Sequence, residues 1–188
     1  MDTPDRITEA EYLVRERAAE YRSEYLDGYV RAMTGASRPH NLMTVNVSGE
    51  LRQQLRRRPC EVYATDMRVK VATAGLYTYP DVVVVCGRPV FEDAQTDTLL
   101  NPIVIVEVLS PSTEAYDRGE KFAHYGRMDS LREYVLVAQD RVRVEHYLRK
   151  RKRWILTALG EPDALLELPS IGCTLGLRDI YERIELQP

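Results

Sequence analysis

Apolar and polar residues follow a helical period in several stretches of this chain. Residues 40–55 have apolar side chains at an approximately helical spacing, which predicts the first long helix. Residues 8–22 predict a shorter helix, because Thr8 and Glu11 have the spacing of a capping box at its start. Further helices are predicted over residues 114–128 and near residues 177–182.

Segments rich in valine and tyrosine lie between these helices and predict strands. Residues 24–33 predict a strand pair that turns at Asp27-Gly28, a dipeptide typical of two-residue hairpins. The run from Val82 to Val85 has no polar position, which predicts a strand buried on both faces at the centre of a sheet. The predicted strands cover residues 61–63, 67–72, 79–86, 103–109, 133–138, 141–148 and 154–159.

The order of these elements predicts an α/β fold. Helices would flank a mixed central sheet, with an N-terminal β-hairpin and a C-terminal strand extension. No Gly/Ser-rich linker, low-complexity tract or repeat divides the chain. Its 188 residues match one ordinary domain, so we expect a single domain over residues 1–188 with a core at about residues 20–150.

Composition favours a globular protein and excludes several other classes. Hydrophobic residues make up 44% and charged residues 29%, which excludes the composition typical of disordered chains. The apolar runs are far shorter than the ~20 residues of a membrane span. The first segment carries Glu9, Glu11 and Arg15 where a signal peptide would need an apolar core. We therefore expect a cytoplasmic protein with no membrane partner.

The three cysteines, Cys60, Cys86 and Cys173, are odd in number and widely spaced. This spacing predicts neither a disulfide framework nor a C-x-x-C metal site. We expect three buried thiols.

The formal net charge of -3 provides no overall basic field, so a contact with nucleic acid would depend on local patches. Two basic clusters stand out, one at the end of the first long helix and one between two predicted strands. Each is either a solvated surface feature or a phosphate contact, and both alternatives stay open. The clusters consist of Arg52, Arg56, Arg57 and Arg58, and of Arg149, Lys150, Arg151, Lys152 and Arg153.

Two carboxylates, Asp81 and Glu107, interrupt strands that are otherwise apolar. A buried carboxylate costs several kcal/mol unless a cation or hydrogen bonds offset it. On a strand, Glu107 shares a face with Ile105 and Leu109 and so enters the core. If the two strands are neighbours, the carboxylates converge into an oxygen site suited to Mg²⁺ or Mn²⁺. The simpler alternatives are a turn contact for Asp81 and a structural ion pair with an arginine for Glu107.

Other catalytic constellations lack their parts. The chain has no H-E-x-x-H, no G-x-S-x-G, no glycine-rich phosphate loop and no G-x-G-x-x-G. Zinc, serine hydrolase, nucleotide hydrolase and dinucleotide-dependent chemistry are therefore not indicated.

The two carboxylate segments carry a resemblance to a known family. Tyr79-Pro80-Asp81-Val82, followed 26 residues later by Glu107-Val108-Leu109-Ser110-Pro111-Ser112-Thr113, resembles the PD-(D/E)XK nuclease superfamily. More narrowly, the chain is similar to the Uma2 restriction endonuclease branch. The second of these segments is specific, whereas Pro-Asp alone is common in proteins. The resemblance covers about residues 20–150 and includes residues 24–28, His40, Asp117 with Lys121 and Tyr125, and residues 133–137.

One position departs from the superfamily pattern. Leu109 stands two residues beyond Glu107, where that pattern has lysine. Lys121 lies four residues after Asp117 and four before Tyr125 on the next predicted helix, and it can supply the amine from another direction. This branch is similar in that respect. The alternative for Lys121 is an ordinary surface lysine.

The resemblance implies a restriction-endonuclease-like fold and an endonuclease that hydrolyses phosphodiester bonds in DNA with Mg²⁺ or Mn²⁺. Asp81 and Glu107 are the implied metal ligands, and Lys121 would orient water and stabilise charge on the phosphorus. Glu24 is a further acidic residue that the resemblance places at the catalytic site, and the alternative is a residue that only caps the hairpin. His40 also matches, although a histidine at the head of a helix more often has a capping or packing role.

Two expectations about partners accompany this hypothesis. Related nucleases commonly pair to cut two strands, so the resemblance implies a homodimer that acts on DNA. The alternative is a catalytically inactive protein with a nuclease fold that binds nucleic acid or supports an assembly. Leu109 in the usual lysine position keeps that alternative open.

Overall fold

The computed structural model describes residues 6–186, so the predicted domain boundaries at residues 1 and 188 lie outside the described residues. None of the helices within this range combines the length and apolarity needed to cross a bilayer. The elements in chain order are α1 (Glu9–Ala18), β1 (Ser23–Leu26), β2 (Tyr29–Ala32), α2 (Arg38–Leu55), β3 (Cys60–Ala64), β4 (Arg68–Val71), a 3₁₀ turn (Ala72–Ala74), β5 (Leu76–Thr78), β6 (Val82–Cys86), β7 (Thr98–Leu99), β8 (Val104–Leu109), α3 (Glu114–Tyr116), a π-helical turn (Asp117–Lys121), α4 (Phe122–Tyr125), β9 (Glu133–Ala138), β10 (Val144–Lys150), β11 (Arg153–Leu159), β12 (Leu165–Leu168), β13 (Cys173–Gly176) and α5 (Leu177–Ile180).

A six-stranded sheet in the order β11-β10-β9-β8-β6-β3 forms the centre of the protein. Strands β8 and β9 are parallel and the other neighbours are antiparallel, so the sheet is mixed as predicted. Strand β6 lies between β3 and β8. Val82 and Val84 contact one apolar cluster while Val83 and Val85 contact another, which confirms the prediction of a strand buried on both faces.

Both faces of the central sheet are covered. Helix α2 and the β12–β13 hairpin pack on one face, through residues such as Met43 and Leu168. The segment after β8 and a second sheet, β2-β1-β5-β4-β7, cover the other face, through residues such as Tyr125 and Val69. Any charged side chain in β6 or β8 therefore lies between the central sheet and one of the layers that cover it.

Local signals near the N-terminal end are confirmed. Thr8 caps α1 and forms a capping box with Glu11, although the helix ends at Ala18 rather than at residue 22. The β1–β2 hairpin turns at Asp27-Gly28, where φ is 45° and 94°. Two consecutive positive φ angles are typical of the type I′ turn that suits the twist of a hairpin.

The shortest strands and one helix differ from the prediction. Strands β5 and β7 have three and two residues, which is too few for a recognisable alternation. The predicted strand over residues 79–86 begins at Val82, because Pro80 has no N–H for a ladder. The predicted helix over residues 114–128 ends at Tyr125 and is interrupted by the π-helical turn. Strands β11 to β13, beyond residue 150, correspond to the predicted C-terminal strand extension.

The expectation of three buried thiols is wrong for two of them. Cys60 and Cys86 are direct partners on β3 and β6 and form a disulfide, whereas Cys173 is a buried free thiol. The two cysteines are 26 residues apart in the chain, so their spacing did not indicate that they are opposed on neighbouring strands. The Cβ atoms of opposed residues are close enough to form a disulfide. Disulfides are uncommon in a reducing cytoplasm, so this bond does not support the expected cytoplasmic location, which stays a prediction.

Reduction of this disulfide should lower the stability of the folded protein. The bond links residues 26 positions apart, and a constraint of this size on the unfolded chain is typically worth about 2–4 kcal/mol. We expect Cys60→Ser and reduced wild type to share one lower melting temperature, measured by circular dichroism with and without dithiothreitol. Dithiothreitol should not change Cys60→Ser. A melting temperature of Cys60→Ser equal to that of oxidised wild type would contradict the prediction.

Candidate active site

Asp81 and Glu107 meet because β6 and β8 are antiparallel neighbours. Val82 pairs with Val106 at the end of the ladder, so Asp81 and Glu107 are the next residues along the two strands. Asp81 lies in the bend before β6, and its carboxylate lines the same cavity as that of Glu107. Glu107 is 4% exposed and is therefore a carboxylate inside the core.

Lys121 places an ammonium group beside Glu107. Its Nζ lies 2.9 Å from Glu107 Oε1, 3.2 Å from Glu24 Oε1 and 3.5 Å from Asp117 Oδ1. Lys121 is 5% exposed, so it is not a surface lysine. The fold thus brings Glu24, Glu107 and Lys121 into contact, and it adds Asp117 to them.

The π-helical turn carries two of these groups into the core. Asp117 and Lys121 are its first and last residues. Turns of this kind occur mostly as single insertions in helices and are frequent at functional sites. Leu109, in contrast, is buried in the apolar cluster on the same face of the sheet. The position where the superfamily has lysine is therefore a packing position in this chain.

Two hydroxyl groups support the carboxylates. Tyr125 donates a hydrogen bond of 3.0 Å to Glu107 Oε1, and the Thr78 hydroxyl donates to Glu24 Oε1. Tyr125 belongs to the motif noted in the sequence, whereas nothing in the sequence singled out Thr78. Both the Tyr125 and the Lys121 contacts of Glu107 use Oε1. This leaves Oε2 of Glu107 available to a further ligand.

His40 and the backbone hold Asp81. The Nε2 atom of His40 lies 2.6 Å from Asp81 Oδ1, and the backbone N–H of Val108 donates to Asp81 Oδ2 at 2.7 Å. Ser37 caps α2 by accepting a hydrogen bond from the backbone N–H of His40. Ser37, and not His40, is therefore the capping residue of α2, while the side chain of His40 contacts Asp81.

Gln139 determines which nitrogen of His40 carries the proton. Its Nε2 donates to the Leu109 carbonyl at 2.6 Å and its Oε1 accepts from the Ser37 hydroxyl at 2.6 Å, so the amide orientation is set. The same Nε2 lies 3.3 Å from His40 Nδ1, which must therefore accept. His40 is then the Nε2–H tautomer and donates to Asp81. Gln139 lies 99 residues from His40, and no sequence pattern links the two.

The charge balance of this cluster favours an additional cation. Burial raises the pKa of Glu107 to about 8, against the effect of Lys121 and reinforced by Asp117 and Asp81. Burial also raises the pKa of Asp117. Burial alone would lower the pKa of Lys121, but the surrounding carboxylates hold it well above its usual value. One ammonium among several buried carboxylates leaves an excess of negative charge that a proton or a cation can relieve.

The donor set suits a divalent ion that keeps ligands from outside the protein. Among residues 6–186, no three His, Cys, Asp or Glu side chains form a group that could hold a metal ion. Mg²⁺ commonly binds one or two carboxylates together with water and substrate phosphates. The carboxylates of Asp81 and Glu107, which line one cavity, fit that description.

A cavity of about 620 Å³ opens above these residues. Asp81, Glu107 and Lys121 line it, together with the exposed arginines Arg22 and Arg31. The cavity therefore combines carboxylates and a buried ammonium with guanidinium groups near solvent, an arrangement suited to a phosphate-containing ligand.

The two basic clusters lie at the other end of the central sheet. Arg56 follows the C-terminal end of α2, whereas His40 is in its first turn. The second cluster lies at the β10–β11 turn, beyond Leu148, which pairs with the first residue of β9. Arg58 donates to two backbone carbonyls before β13, so its contacts are structural. Neither cluster lines the cavity.

Comparisons with known proteins identify the family. The sequence profile of "Uma2: Putative restriction endonuclease" matches residues 9–178. Two proteins of Synechocystis sp. described as uncharacterised, sll1609 and slr1290, are 40% and 34% identical; the alignments cover 86% and 94% of this chain and 92% of each relative. The crystal structure of a "putative nuclease belonging to DUF820" from Anabaena variabilis has a TM-score of 0.79 at 20% identity, covering 95% of this chain and 99% of the other. The structural match shows a shared mixed α/β nuclease fold, and the profile match over most of the sequence shows that the chain belongs to the Uma2 family of restriction-endonuclease-like proteins.

Proposed function

We propose that the protein is a metal-dependent endonuclease that hydrolyses phosphodiester bonds in DNA. The observation that carries this proposal is the meeting of Asp81, Glu107 and Lys121 at one cavity, with Lys121 Nζ 2.9 Å from Glu107 Oε1. Membership of a restriction-endonuclease-like family supports the reaction class. The cavity volume of about 620 Å³ is in the usual range for small-molecule sites.

Asp81 and Glu107 are the residues that would hold Mg²⁺ or Mn²⁺. When bound, the ion would supply a Lewis acid for the phosphate and lower the pKa of a bound water. Asp81 can keep its bonds to His40 and Val108 while it binds a cation, because each carboxylate oxygen has two lone pairs. His40 and Gln139 are then positioning residues that set the orientation of Asp81.

Lys121 would orient the attacking water and offset the negative charge that develops on the phosphate in the transition state. An ammonium group has three donors, and Glu107, Glu24 and Asp117 are its three partners. The contact to Asp117, at 3.5 Å, is the longest and is the one that a water or phosphate oxygen would replace. Glu24 acts through Lys121 and is a positioning residue.

The positions of Arg22 and Arg31 favour a polyanionic substrate. Both are exposed on the rim of the cavity, on or beside the β1–β2 hairpin. Arg31 also lies over the Tyr116 ring, 5.7 Å from its centroid, which holds the guanidinium at the cavity. Phosphates on either side of the cleaved bond would contact these arginines.

Substitutions at the cavity should remove cleavage of supercoiled plasmid. We expect Asp81→Ala, Glu107→Gln and Lys121→Met each to lower the nicking rate in Mg²⁺ or Mn²⁺ by about 100-fold or more, because each removes a group that acts on the transition state. Asp163→Asn, at an exposed ion pair with Arg178, is the matched control and should cleave like wild type.

Equal nicking by wild type and Asp81→Ala would mean that a contaminant cuts the plasmid. If folded wild type cleaves neither plasmid nor single-stranded DNA, the endonuclease proposal is wrong. The hypothesis of an inactive protein that binds nucleic acid would then be favoured.

Mg²⁺ should stabilise wild type against thermal unfolding. A ligand at 100 times its Kd adds about 2.7 kcal/mol to the free energy of unfolding. We expect a rise in melting temperature for wild type and Asp163→Asn, measured by differential scanning fluorimetry at increasing Mg²⁺. The rise should be absent in Glu107→Gln. Equal shifts in wild type and Glu107→Gln would place the ion elsewhere.

The stability of wild type without metal should fall as pH rises from about 4.5 to about 8. Glu107 has a pKa near 8 when folded and near 4.5 when unfolded, so the folded state binds more protons in this window. The loss approaches at most about 1.4 kcal/mol per pH unit for one proton. Urea unfolding at several pH values should show a shallower fall for Glu107→Gln, because both proteins share all other titrating groups. Parallel pH profiles would contradict the raised pKa, and a large loss of stability at all pH values would indicate a structural ion pair.

A further inference from the structure

Within residues 6–186, no strand pairs with the outer edge of β11, so one edge of the central sheet is open. Strand β11 pairs with β10 along its whole length and is the terminal strand in the sheet order. Five of its seven residues are exposed. The strand at the other edge, β3, is shorter and contains the charged residue Glu61.

The sequence of β11 lacks the features that usually protect an open edge. From Trp154 to Leu159 it has neither a charged residue nor a proline. Ile155 and Leu156, which project to opposite faces, are 49% and 52% exposed. Proteins commonly protect such edges with lysine, proline or a bulge, because free N–H and C=O groups template another strand. Strand β11 is therefore suited to pair with a further strand.

The charges on either side of β11 indicate what that strand is. The basic cluster at residues 149–153 precedes the uncharged run, and Glu161 and Asp163 follow it. A second β11 in antiparallel orientation would bring each basic end against an acidic end, whereas a parallel copy would bring like charges together. We propose that β11 pairs with β11 of a second copy of this chain, in an antiparallel two-fold interface that joins the two central sheets.

The two-fold symmetry limits the register of this pairing. One residue lies on the axis and faces its own copy, as in any isologous antiparallel pair. A register centred on Thr157 sets Ile155 against Leu159 of the partner subunit. It also brings Arg153 towards Glu161 of the partner subunit, which lies in the turn just beyond the end of that strand. It also pairs two threonines on the axis, a favourable cross-strand pair. Apolar side chains thus meet apolar ones, and opposite charges meet at both ends.

The interface has a consequence for the candidate active sites. The local two-fold axis of an antiparallel strand pair is perpendicular to the sheet, so both copies keep the same face outward and both cavities open on one side. Seven strand intervals of about 4.8 Å separate the two β8 strands, roughly 34 Å across a flat sheet. The pairing does not depend on the proposed endonuclease activity, since it can be measured without a substrate.

Charged residues introduced at the two-fold axis test the interface. We expect wild type to be a dimer at micromolar concentration by sedimentation velocity. Thr157→Lys and Thr157→Glu should each be monomeric because like charges meet on the axis, and an equimolar mixture should recover the dimer. Val14→Lys, at a 71% exposed position on α1, is the control and should remain dimeric. Circular dichroism would show that each variant is folded.

Cysteine cross-linking tests the register without relying on the charged variants. Opposed Cα atoms lie about 4.5–5.5 Å apart, within disulfide reach, so oxidised Thr157→Cys should give a covalent dimer on a non-reducing gel. Ile155→Cys should not, because it lies roughly 14 Å from its own copy. Monomeric wild type, or a dimer that Thr157→Lys does not affect and Thr157→Cys does not cross-link, would overturn the proposal.

Discussion

The contact between Lys121 and Glu107 is the interaction on which the candidate site depends. Glu107 lies in β8 between the buried residues Val106 and Val108. It is itself 4% exposed, so its carboxylate has little access to water. A buried charge of this kind persists only with a partner and further hydrogen bonds. Lys121 at 2.9 Å and the Tyr125 hydroxyl at 3.0 Å supply them. The π-helical turn, which carries Lys121, is thus directly tied to a carboxylate inside the sheet.

The surrounding elements each contribute one group to the site around this pair of charges. The β1–β2 hairpin brings Glu24, and the second sheet brings Thr78, whose hydroxyl donates to Glu24. The N-terminal end of α2 brings His40, and the residue after β9 brings Gln139. These groups come from four distant parts of the chain, so the site exists only when the layers on both sides of the central sheet are assembled. Its excess of carboxylates over ammonium groups is what makes it suited to a cation.

Charge is distributed unevenly over the molecule. Several carboxylates, among them Glu24, Glu107 and Asp117, line the cavity, while the two basic clusters lie at the opposite end of the central sheet. A polyanion at the cavity would therefore meet Arg22 and Arg31 rather than those clusters. The basic residues at the β10–β11 turn are placed instead beside an open strand edge, where acidic residues of a second copy would complement them.

Much of the fold followed from the sequence because its signals are local. The capping box at Thr8, the Asp27-Gly28 turn and the valine run in β6 each act within a few residues, and each is where the pattern predicted it. Asp81 and Glu107 could be named because each is a carboxylate at an otherwise apolar strand, and Lys121 because of the resemblance to the nuclease family.

Tertiary structure alone decided how those residues meet. The antiparallel pairing of β6 and β8 brings Asp81 and Glu107 to the same end of two neighbouring strands, and the register of β3 and β6 joins Cys60 to Cys86. Gln139 and Thr78 gave no signal in the sequence, because a hydrogen bond between residues far apart in the chain needs no pattern of spacing. Local periodicity determines which face of an element is buried, but only the packing of distant strands determines which buried polar groups share a hydrogen bond.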